Sequence, residues 1–125
     1  MPRSNSKINN NASGRLAEFL ARWLLRLKGY RIIAANHKTQ RGTGVGEIDL
    51  IARKGKTLAF VEVKKRADLD AAAYAISATQ KKRIIKGAEL FLKQNPGYAG
   101  ADIRFDAVLV KLPLCLKHIK NAWLN

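Results

Sequence analysis

The chain has 125 residues, a formal net charge of +15 and a sequence pI near 10.5. Its 47% hydrophobic residues suffice for the core of one domain, and no apolar run approaches the ~20 residues of a membrane-spanning helix. So large a positive charge is typical of proteins that bind a polyanion, nucleic acid above all, and a membrane surface is the weaker alternative.

The N-terminal segment predicts an arm followed by a helix. Residues 1–12 contain no apolar stretch of the kind found in secretory signals, so we expect a disordered basic arm, one domain over 13–125, and a cytoplasmic protein. Apolar residues at helical spacing predict an amphipathic helix from Ser13 to Lys28, with Ser13 as N-cap and Gly29 as C-terminal stop. The predicted contacts of this helix with the sheet are Leu16, Phe19, Leu20, Trp23, Leu24 and Leu27.

A short strand is predicted next, from Tyr30 to Ala35, followed by a glycine-rich loop over 36–45. The loop carries Lys38 and Arg41, and glycines allow a close approach to a phosphate backbone. Its Gly-x-Gly-x-Gly run lacks the lysine and the strand-to-helix context of a nucleotide cradle. We expect a mobile loop, with DNA contact as the alternative.

Two apolar runs, Gly46 to Arg53 and Thr57 to Lys65, predict a β-hairpin. A type II′ turn with Gly55 at its first central position would pair Lys54 with Thr57. Counting outward from this pair places Asp49 opposite Glu62 and Glu47 opposite Lys64, at Cβ separations of about 5 Å. The side chains of Ile48, Leu50, Val61 and Val63 would share the opposite face.

The four charged side chains of the hairpin allow two interpretations. A polar stripe on a strand is often simply solvated, and Lys64 could form a cross-strand pair with Glu47. Directly opposed Asp49 and Glu62 repel one another, however, unless a positive charge lies between them. Mg²⁺ takes oxygen ligands and is often held by one or two carboxylates together with substrate phosphates. The pattern therefore favours a divalent-metal site.

The rest of the chain predicts a second helix and two strands. The helix would run from about Ala71 to Gln94, and its basic run over 80–86 would either lie along phosphates or be solvated. The strands would run from Ile103 to Lys111 and from Leu114 to Ile119, with Trp123 capping the core. The order helix, three strands, helix, strand predicts an α/β sandwich with a central mixed sheet.

The histidines and the cysteine carry little signal for catalysis. Cys115 is the sole cysteine, which excludes an internal disulfide, and we interpret it as a packing residue. His37 and His118 lack the spacing of metal ligands and are expected to face the surface or phosphate.

At these residues the chain resembles a known family. Asp49 followed by Glu62-Val63-Lys64 resembles the D…(D/E)xK motif of the PD-(D/E)XK nuclease superfamily. The combination of GEIDLIAR, FVEVK, Gly14-x-x-x-Glu18 and Arg104-Phe105-Asp106 looks like the YraN family of predicted endonucleases, which is related in pattern to archaeal Holliday junction resolvases. The resemblance spans roughly Gly14 to Trp123.

The resemblance implies a restriction-endonuclease-like three-layer fold and a DNA endonuclease that uses Mg²⁺ or Mn²⁺. Asp49 and Glu62 would bind metal, and Lys64 would position or activate water. Glu18 would assist at the metal directly or through water, although without the resemblance it is interpreted as an acid that complements the helix dipole or forms a salt bridge. Support would come from Glu47 and from Gln80 or Lys81. The residues expected to contact nucleic acid are Lys38, Arg41, Lys65, Arg66, Lys81, Lys82, Arg83 and Lys86.

Other functions stay open at this point. The chain could be a catalytically silent nucleic-acid-binding module, or an accessory subunit in DNA processing. Branched DNA is among the expected substrates and RNA is an alternative. A homodimer is expected from the resemblance, because two subunits would supply two sites for two strands.

Overall fold

The computed structural model describes residues 2–37, 47–65, 76–111 and 115–123, with side chains from Gly14 onward and excluding that of His37. Two α-helices, one 3₁₀ turn and five strands form this part of the chain. They are α1 (Pro2–Leu27), β1 (Arg31–His37), β2 (Ile48–Lys54), β3 (Thr57–Lys65), α2 (Ala78–Gln94), the 3₁₀ turn (Pro96–Tyr98), β4 (Asp102–Lys111) and β5 (Cys115–Trp123).

The five strands form one mixed sheet in the order β1-β2-β3-β4-β5. Neighbours are antiparallel except β3 and β4, which are parallel because α2 carries the chain back between them. Residues of α1 pack on one face of the sheet and residues of α2 on the other. The predicted three-layer α/β sandwich with a central mixed sheet is confirmed.

Helix α1 differs from its prediction at the start and agrees at the end. It begins at Pro2, so the start and N-cap predicted at Ser13 are wrong, and residues 2–12 are helical where a disordered arm was expected. Pro2 suits a first turn because its missing N–H has no partner there, and no proline or glycine interrupts the run before Gly14. Gly29 ends the helix with φ +93°, and Tyr30 N–H donates to the Leu25 carbonyl, as in a Schellman motif.

The face of α1 that packs on the sheet is only partly the predicted one, because Leu20 and Leu24 pack there as predicted and the other four residues do not. Ala17, Ala21 and Leu25 are fully or almost fully buried, with Leu20 and Leu24 packed beside them. Leu16, Phe19, Trp23 and Leu27, which were expected in the core, are exposed instead. Small alanines allow the helix to approach the sheet closely, and their row has the same helical period as the row of larger side chains.

Helix α2 begins at Ala78, where the Ser77 side chain accepts a hydrogen bond from Gln80 N–H as an N-cap. Residues 66–75, which include the predicted start at Ala71, lie outside the described part of the chain. The helix ends at Gln94 before Asn95-Pro96-Gly97, as predicted. Its buried residues Ile84, Ala88 and Phe91 pack with Phe60 and Phe105 of the sheet.

Strand β5 forms one edge of the sheet, and its Trp123 caps the core as predicted. The indole is 6% exposed and stacks on Phe105, with ring centroids 5.6 Å apart. Cys115 is exposed, so its interpretation as a packing residue is wrong: it pairs with Lys111 at the end of an edge strand. None of the described helices combines the length and apolar composition that crossing a membrane requires.

Candidate active site

The β2–β3 hairpin has the predicted register. Lys54 pairs with Thr57, and the ladder continues one residue at a time to Leu50 and Val61. Gly55 has φ +60° while Lys56 does not have a positive φ, which is the signature of a type II′ turn. The register thus places Asp49 and Glu62 next in line, just beyond the last ladder pair.

The end of the ladder explains how Asp49 is held. Hydrogen-bonded pairs alternate along an antiparallel hairpin, so the pattern from Lys54–Thr57 would direct Val63 N–H to the carbonyl of Ile48. Instead Val63 N–H donates to Asp49 Oδ2 at 2.8 Å. Ile48 packs in the core on the α2 face, and not with Leu50 and Val61 as predicted. The carboxylate of Asp49 therefore replaces a backbone acceptor where β2 leaves β3.

Asp49 and Glu62 form a close acid pair. Their position is a non-hydrogen-bonded one, where opposed side chains approach most closely, and Glu62 is only 6% exposed. Burial, followed by the hydrogen bond and the charge of Glu62, raises the pKa of Asp49 from 3.8 to about 8, against the opposing effects of Val63 N–H and Lys64. At neutral pH the pair retains a proton that a cation could replace.

Glu18 of α1 approaches the same pair from the other side of the sheet. Its pKa is raised, first by burial and then by the charges of Asp49 and Glu47, while a hydrogen bond with the Asn36 side chain lowers it. Asn36 has φ +52°, in the left-handed region that asparagine tolerates better than most residues. Asn36 was not among the predicted site residues, and its position at the end of a predicted strand was the signal that could have identified it.

Lys64 forms an ion pair within its own strand. Its Nζ lies 3.7 Å from Glu62 Oε1, so the cross-strand pair considered with Glu47 is not the one observed. Strand β2 begins at Ile48, and Glu47 precedes it as an exposed residue. The lysine is thus placed beside the acid pair, with its side chain 19% exposed.

These side chains line one cleft, with a volume of ≈ 390 Å³, between the two helices and the splayed ends of β2 and β3. Helix α1 contributes one wall, and α2 contributes the other with Gln80 and Arg83. Six of the seven residues considered as catalytic or supporting are brought together there, and Lys81, the alternative to Gln80, does not line the cleft. The lining residues are Gly14, Ala17, Glu18, Glu47, Asp49, Glu62, Val63, Lys64, Lys65, Gln80, Arg83 and Ile84.

The cations predicted to contact nucleic acid fall into three groups. Lys65 and Arg83 line the cleft. Lys82 and Lys86 are exposed on a part of α2 that does not line it, and Lys81 is partly buried. The remaining three, Lys38, Arg41 and Arg66, lie outside the described residues.

The cleft fits a divalent cation that shares its coordination with a substrate. Over the described ranges, the His, Cys, Asp and Glu side chains do not form a group of three around one point. Mg²⁺ does not need such a cage, because it is commonly held by one or two carboxylates, waters and substrate phosphates. The oxygen donors of Asp49 and Glu62, which share a proton at neutral pH, are a donor set of this kind.

Asp106, the acid of the Arg104-Phe105-Asp106 motif, belongs to a second polar cluster outside the cleft. It is fully buried, and the Arg104 guanidinium donates to it through Nε at 2.8 Å and Nη2 at 2.7 Å. His118 Nε2 and Asn121 N–H complete its hydrogen bonds at 2.8 and 2.9 Å. Burial alone would raise the pKa of Asp106, but these donors hold it at about 2.

The same cluster corrects the prediction for His118. Its side chain is 3% exposed and lies between Asp106 and Lys28, so it does not face the surface. Lys28 Nζ donates to Nδ1, which leaves the hydrogen on Nε2 for Asp106. Tyr30 accepts from Arg104 and packs edge-on against the imidazole. This cluster ties the C-terminal end of α1 to β4 and β5.

Comparison with known proteins places the chain in a family. The model of the Uncharacterised protein family UPF0102 matches residues 17–110, and the chain belongs to this family. A UPF0102 protein of Paramagnetospirillum magneticum, amb4503, is 48% identical over 110 residues, which cover 88% of this chain and 85% of the relative. A UPF0102 protein of Rhodopseudomonas palustris strain HaA2 is 43% identical over 122 residues, covering 98% and 92%.

A solved structure of similar fold is Archaeoglobus fulgidus Hjc, described as a Holliday junction resolvase from an archaeal hyperthermophile. It aligns with a TM-score of 0.44 at 22% identity, over 82% of this chain and 72% of the other.

Proposed function

We propose that this protein is a divalent-metal-dependent endonuclease that hydrolyses phosphodiester bonds in DNA. The observation that carries the proposal is the opposed pair of Asp49 and Glu62 at the floor of the cleft, with Lys64 Nζ 3.7 Å from Glu62. A protein that only binds a polyanion gains nothing from opposed carboxylates beside it, because they repel phosphate.

In this proposal Asp49 and Glu62 hold Mg²⁺ or Mn²⁺. A bound divalent ion lowers the pKa of water and neutralises charge that develops on the phosphoryl group. Val63 N–H orients the Asp49 carboxylate at 2.8 Å, so this ligand is positioned by the backbone before any ion arrives. Glu18 adds a third carboxylate from α1, either at the ion or through water, and the Asn36 hydrogen bond orients it.

Lys64 is proposed to position the nucleophilic water and to stabilise negative charge on the scissile phosphate. Its neighbour Glu62 fixes the ammonium group near the acid pair. Gln80 faces the same space from α2 and could donate to a phosphate oxygen or accept from water.

The DNA backbone is proposed to cross the mouth of the cleft. Lys65 and Arg83 lie at its margin, and the net charge of +15 attracts a polyanion from a distance. Branched DNA is included among the substrates because the motifs resemble those of YraN proteins and archaeal resolvases. A homodimer, with one site for each of two strands, belongs to the same proposal.

The direct test is cleavage of plasmid, linear and four-way-junction DNA in Mg²⁺, Mn²⁺ or EDTA. We expect cleavage with either ion and none in EDTA. Glu62→Ala or Lys64→Ala should lower the cleavage rate at least about 100-fold, since the first removes a metal ligand and the second removes the group that positions water and stabilises charge on the phosphate. DNA affinity measured in EDTA should change little.

Glu89→Gln is the matched control, because Glu89 is an exposed acid of α2 that does not line the cleft. It should cleave like the wild type. Cleavage that survives in both Asp49→Ala and Glu62→Ala would refute the proposed site. Tight binding without cleavage under every condition would instead identify a catalytically silent nucleic-acid-binding module.

A further inference from the structure

The outward face of α1 exposes large apolar side chains next to the cleft. Phe19 is 46% and Trp23 48% exposed, and the aliphatic Leu16 and Leu27 extend the row at 44% and 79%. Among the described surfaces, a contiguous apolar row of this kind on so basic a protein calls for a partner.

The aromatic pair is flanked by arginines on the side toward the active site. Residues four apart on an α-helix are offset by about 40° around the axis. Going around α1 from Glu18, which lines the cleft, the order is therefore Arg22, Arg15 and Arg26, then Phe19, then Trp23. A row of cations thus separates the catalytic cleft from a row of aromatic rings.

The rings are arranged to receive flat ligands. Phe19 and Trp23 meet edge to face, with centroids 6.3 Å apart and an interplanar angle of 67°, so they do not cover one another. The Arg22 guanidinium already lies 5.9 Å from the Phe19 centroid, at cation–π distance. Cations beside open aromatic faces are what nonspecific single-strand binders use, with phosphates on the cations and bases stacked on the rings.

We propose that this face of α1 binds a single-stranded stretch of nucleic acid that leaves the cleft. Its phosphates would contact Arg15, Arg22 and Arg26, and its bases would stack on Phe19 and Trp23. The inference deepens the proposed function and rests on it in one respect, that the cleft takes DNA. It predicts that junctions, flaps and other DNA with unpaired bases bind more tightly than a blunt duplex.

The positive charge of this face favours nucleic acid over a second copy of the chain as the partner. Two α1 faces brought together would oppose the same arginines, and Glu18 is the sole acid among residues 14–27. An acidic protein segment with apolar side chains would also be attracted, but it would use Leu27 as readily as the aromatic rings. That difference makes the two partners separable by mutation.

Trp23 provides a direct probe, because the other tryptophan, Trp123, is only 6% exposed. Oligo(dT) is titrated into the full-length protein in EDTA at fixed salt, with a blunt duplex of equal length in parallel. We expect saturable quenching of tryptophan fluorescence by oligo(dT). Phe19→Ala or Trp23→Ala should each weaken oligo(dT) binding about tenfold, within the range measured for lost base stacking.

Three further variants separate stacking from charge and from general apolar contact. Trp23→Phe retains an aromatic ring and should keep most of the affinity. Leu27→Ala removes an exposed apolar side chain beyond the rings and should have no effect. The combined change of Arg15, Arg22 and Arg26 to Gln should reduce the slope of log K against log salt by about 2, whereas the aromatic variants leave that slope unchanged.

The inference and the proposed function can fail independently. Quenching and stacking losses in a protein that cleaves no DNA would leave the inference standing and remove the nuclease. Metal-dependent cleavage without quenching, and with unchanged oligo(dT) affinity in Phe19→Ala and Trp23→Ala, would overturn the inference alone. A loss of affinity in Leu27→Ala equal to that in Trp23→Ala would also overturn it, since an apolar docking surface for protein would then be the better account.

Discussion

At the scale of single residues, two carboxyl groups carry opposite electrostatic roles. Asp49 lies against Glu62, and burial with a like neighbour raises its pKa to about 8. Asp106 lies against Arg104 and His118, and their hydrogen bonds overcome burial and hold its pKa at about 2. The first group is poised to exchange its proton for a cation, and the second is a permanent structural anion.

The raised pKa of Asp49 makes the metal-free fold less stable at alkaline pH. A carboxyl whose folded pKa exceeds its unfolded value contributes stability that is fully present below about pH 4 and is lost progressively as the pH rises to about 8. Asp49→Asn replaces the carboxyl with a neutral amide and should escape this loss. In EDTA we expect its Tm to exceed that of the wild type by about 5 °C at pH 9 and to differ little near pH 4.

Thermal unfolding followed by circular dichroism at both pH values measures this difference. Glu89→Gln, which neutralises an exposed acid outside the cleft, should follow the wild type at both. Equal pH dependence of Tm in Asp49→Asn and the wild type would contradict the proton sharing between Asp49 and Glu62.

The lowered pKa of Asp106 gives the opposite pH dependence. Its contribution to stability is present above about pH 4 and is lost as the pH falls toward 2. Asp106→Asn removes the charge that compensates Arg104 and weakens four hydrogen bonds within the fold. We expect the free energy of unfolding to fall by about 3 kcal/mol at pH 7, as for other buried ion pairs that lose one partner.

Urea denaturation measures this loss in the free energy of unfolding. Asp102→Asn, which changes an exposed acid at the start of the same strand, serves as control. A change in Asp106→Asn no larger than in the control would show that the cluster is not a structural anchor. Cleavage by folded Asp106→Asn should remain metal-dependent, because its side chain does not line the cleft.

At the scale of elements, the β2–β3 hairpin shows how a local turn determines a distant site. The type II′ turn at Gly55 sets the register, and five residues further along each strand, one position beyond the last ladder pair, it brings Asp49 next to Glu62. This was predictable from sequence because the turn and both strands are contiguous, so counting is enough. The side-chain hydrogen bond between Asp49 and Val63 N–H was not, since it depends on how β2 departs from the ladder.

Gly55→Ala tests the turn. With φ +60° the backbone lies in the left-handed region, and an added Cβ meets nothing within 4 Å, so the cost is conformational alone. We expect a loss of about 1 to 2 kcal/mol in the free energy of unfolding, measured by urea denaturation. Gly97→Ala is the matched control, because Gly97 has the same open surroundings without a positive φ. An equal effect in both variants would argue against the type II′ turn.

Helix α1 shows the limit of reasoning from periodicity. Its apolar residues form two rows at helical spacing, one of alanines with Leu25 and one of Leu16, Phe19 and Trp23. Hydrophobicity favours burying the second row, yet the first row is buried. Close packing against the sheet decides between them, and only the assembled fold reveals that the larger side chains remain outside.

At the scale of the whole molecule, the cleft exists because the two helices lie on opposite faces of the sheet and both reach the same edge of it. Glu18 arrives from α1 on one face and Gln80 with Arg83 from α2 on the other, while the acid pair is supplied by the strands between. No local pattern brings these elements together. Glu18 and Gln80 were predicted as site residues only through the resemblance to YraN proteins.

The sequence by itself determined the hairpin, its register and the opposed acids, together with the α/β class and the basic character of the chain, because these follow from neighbours along the chain and from composition. Only the tertiary structure decided which face of α1 is buried. It also decided that His118, although it belongs to the edge strand β5, is enclosed by Asp106 and by Lys28 at the distant end of α1. Those outcomes depend on contacts between segments far apart in sequence. Their free energies are settled by packing and burial, which periodicity does not encode.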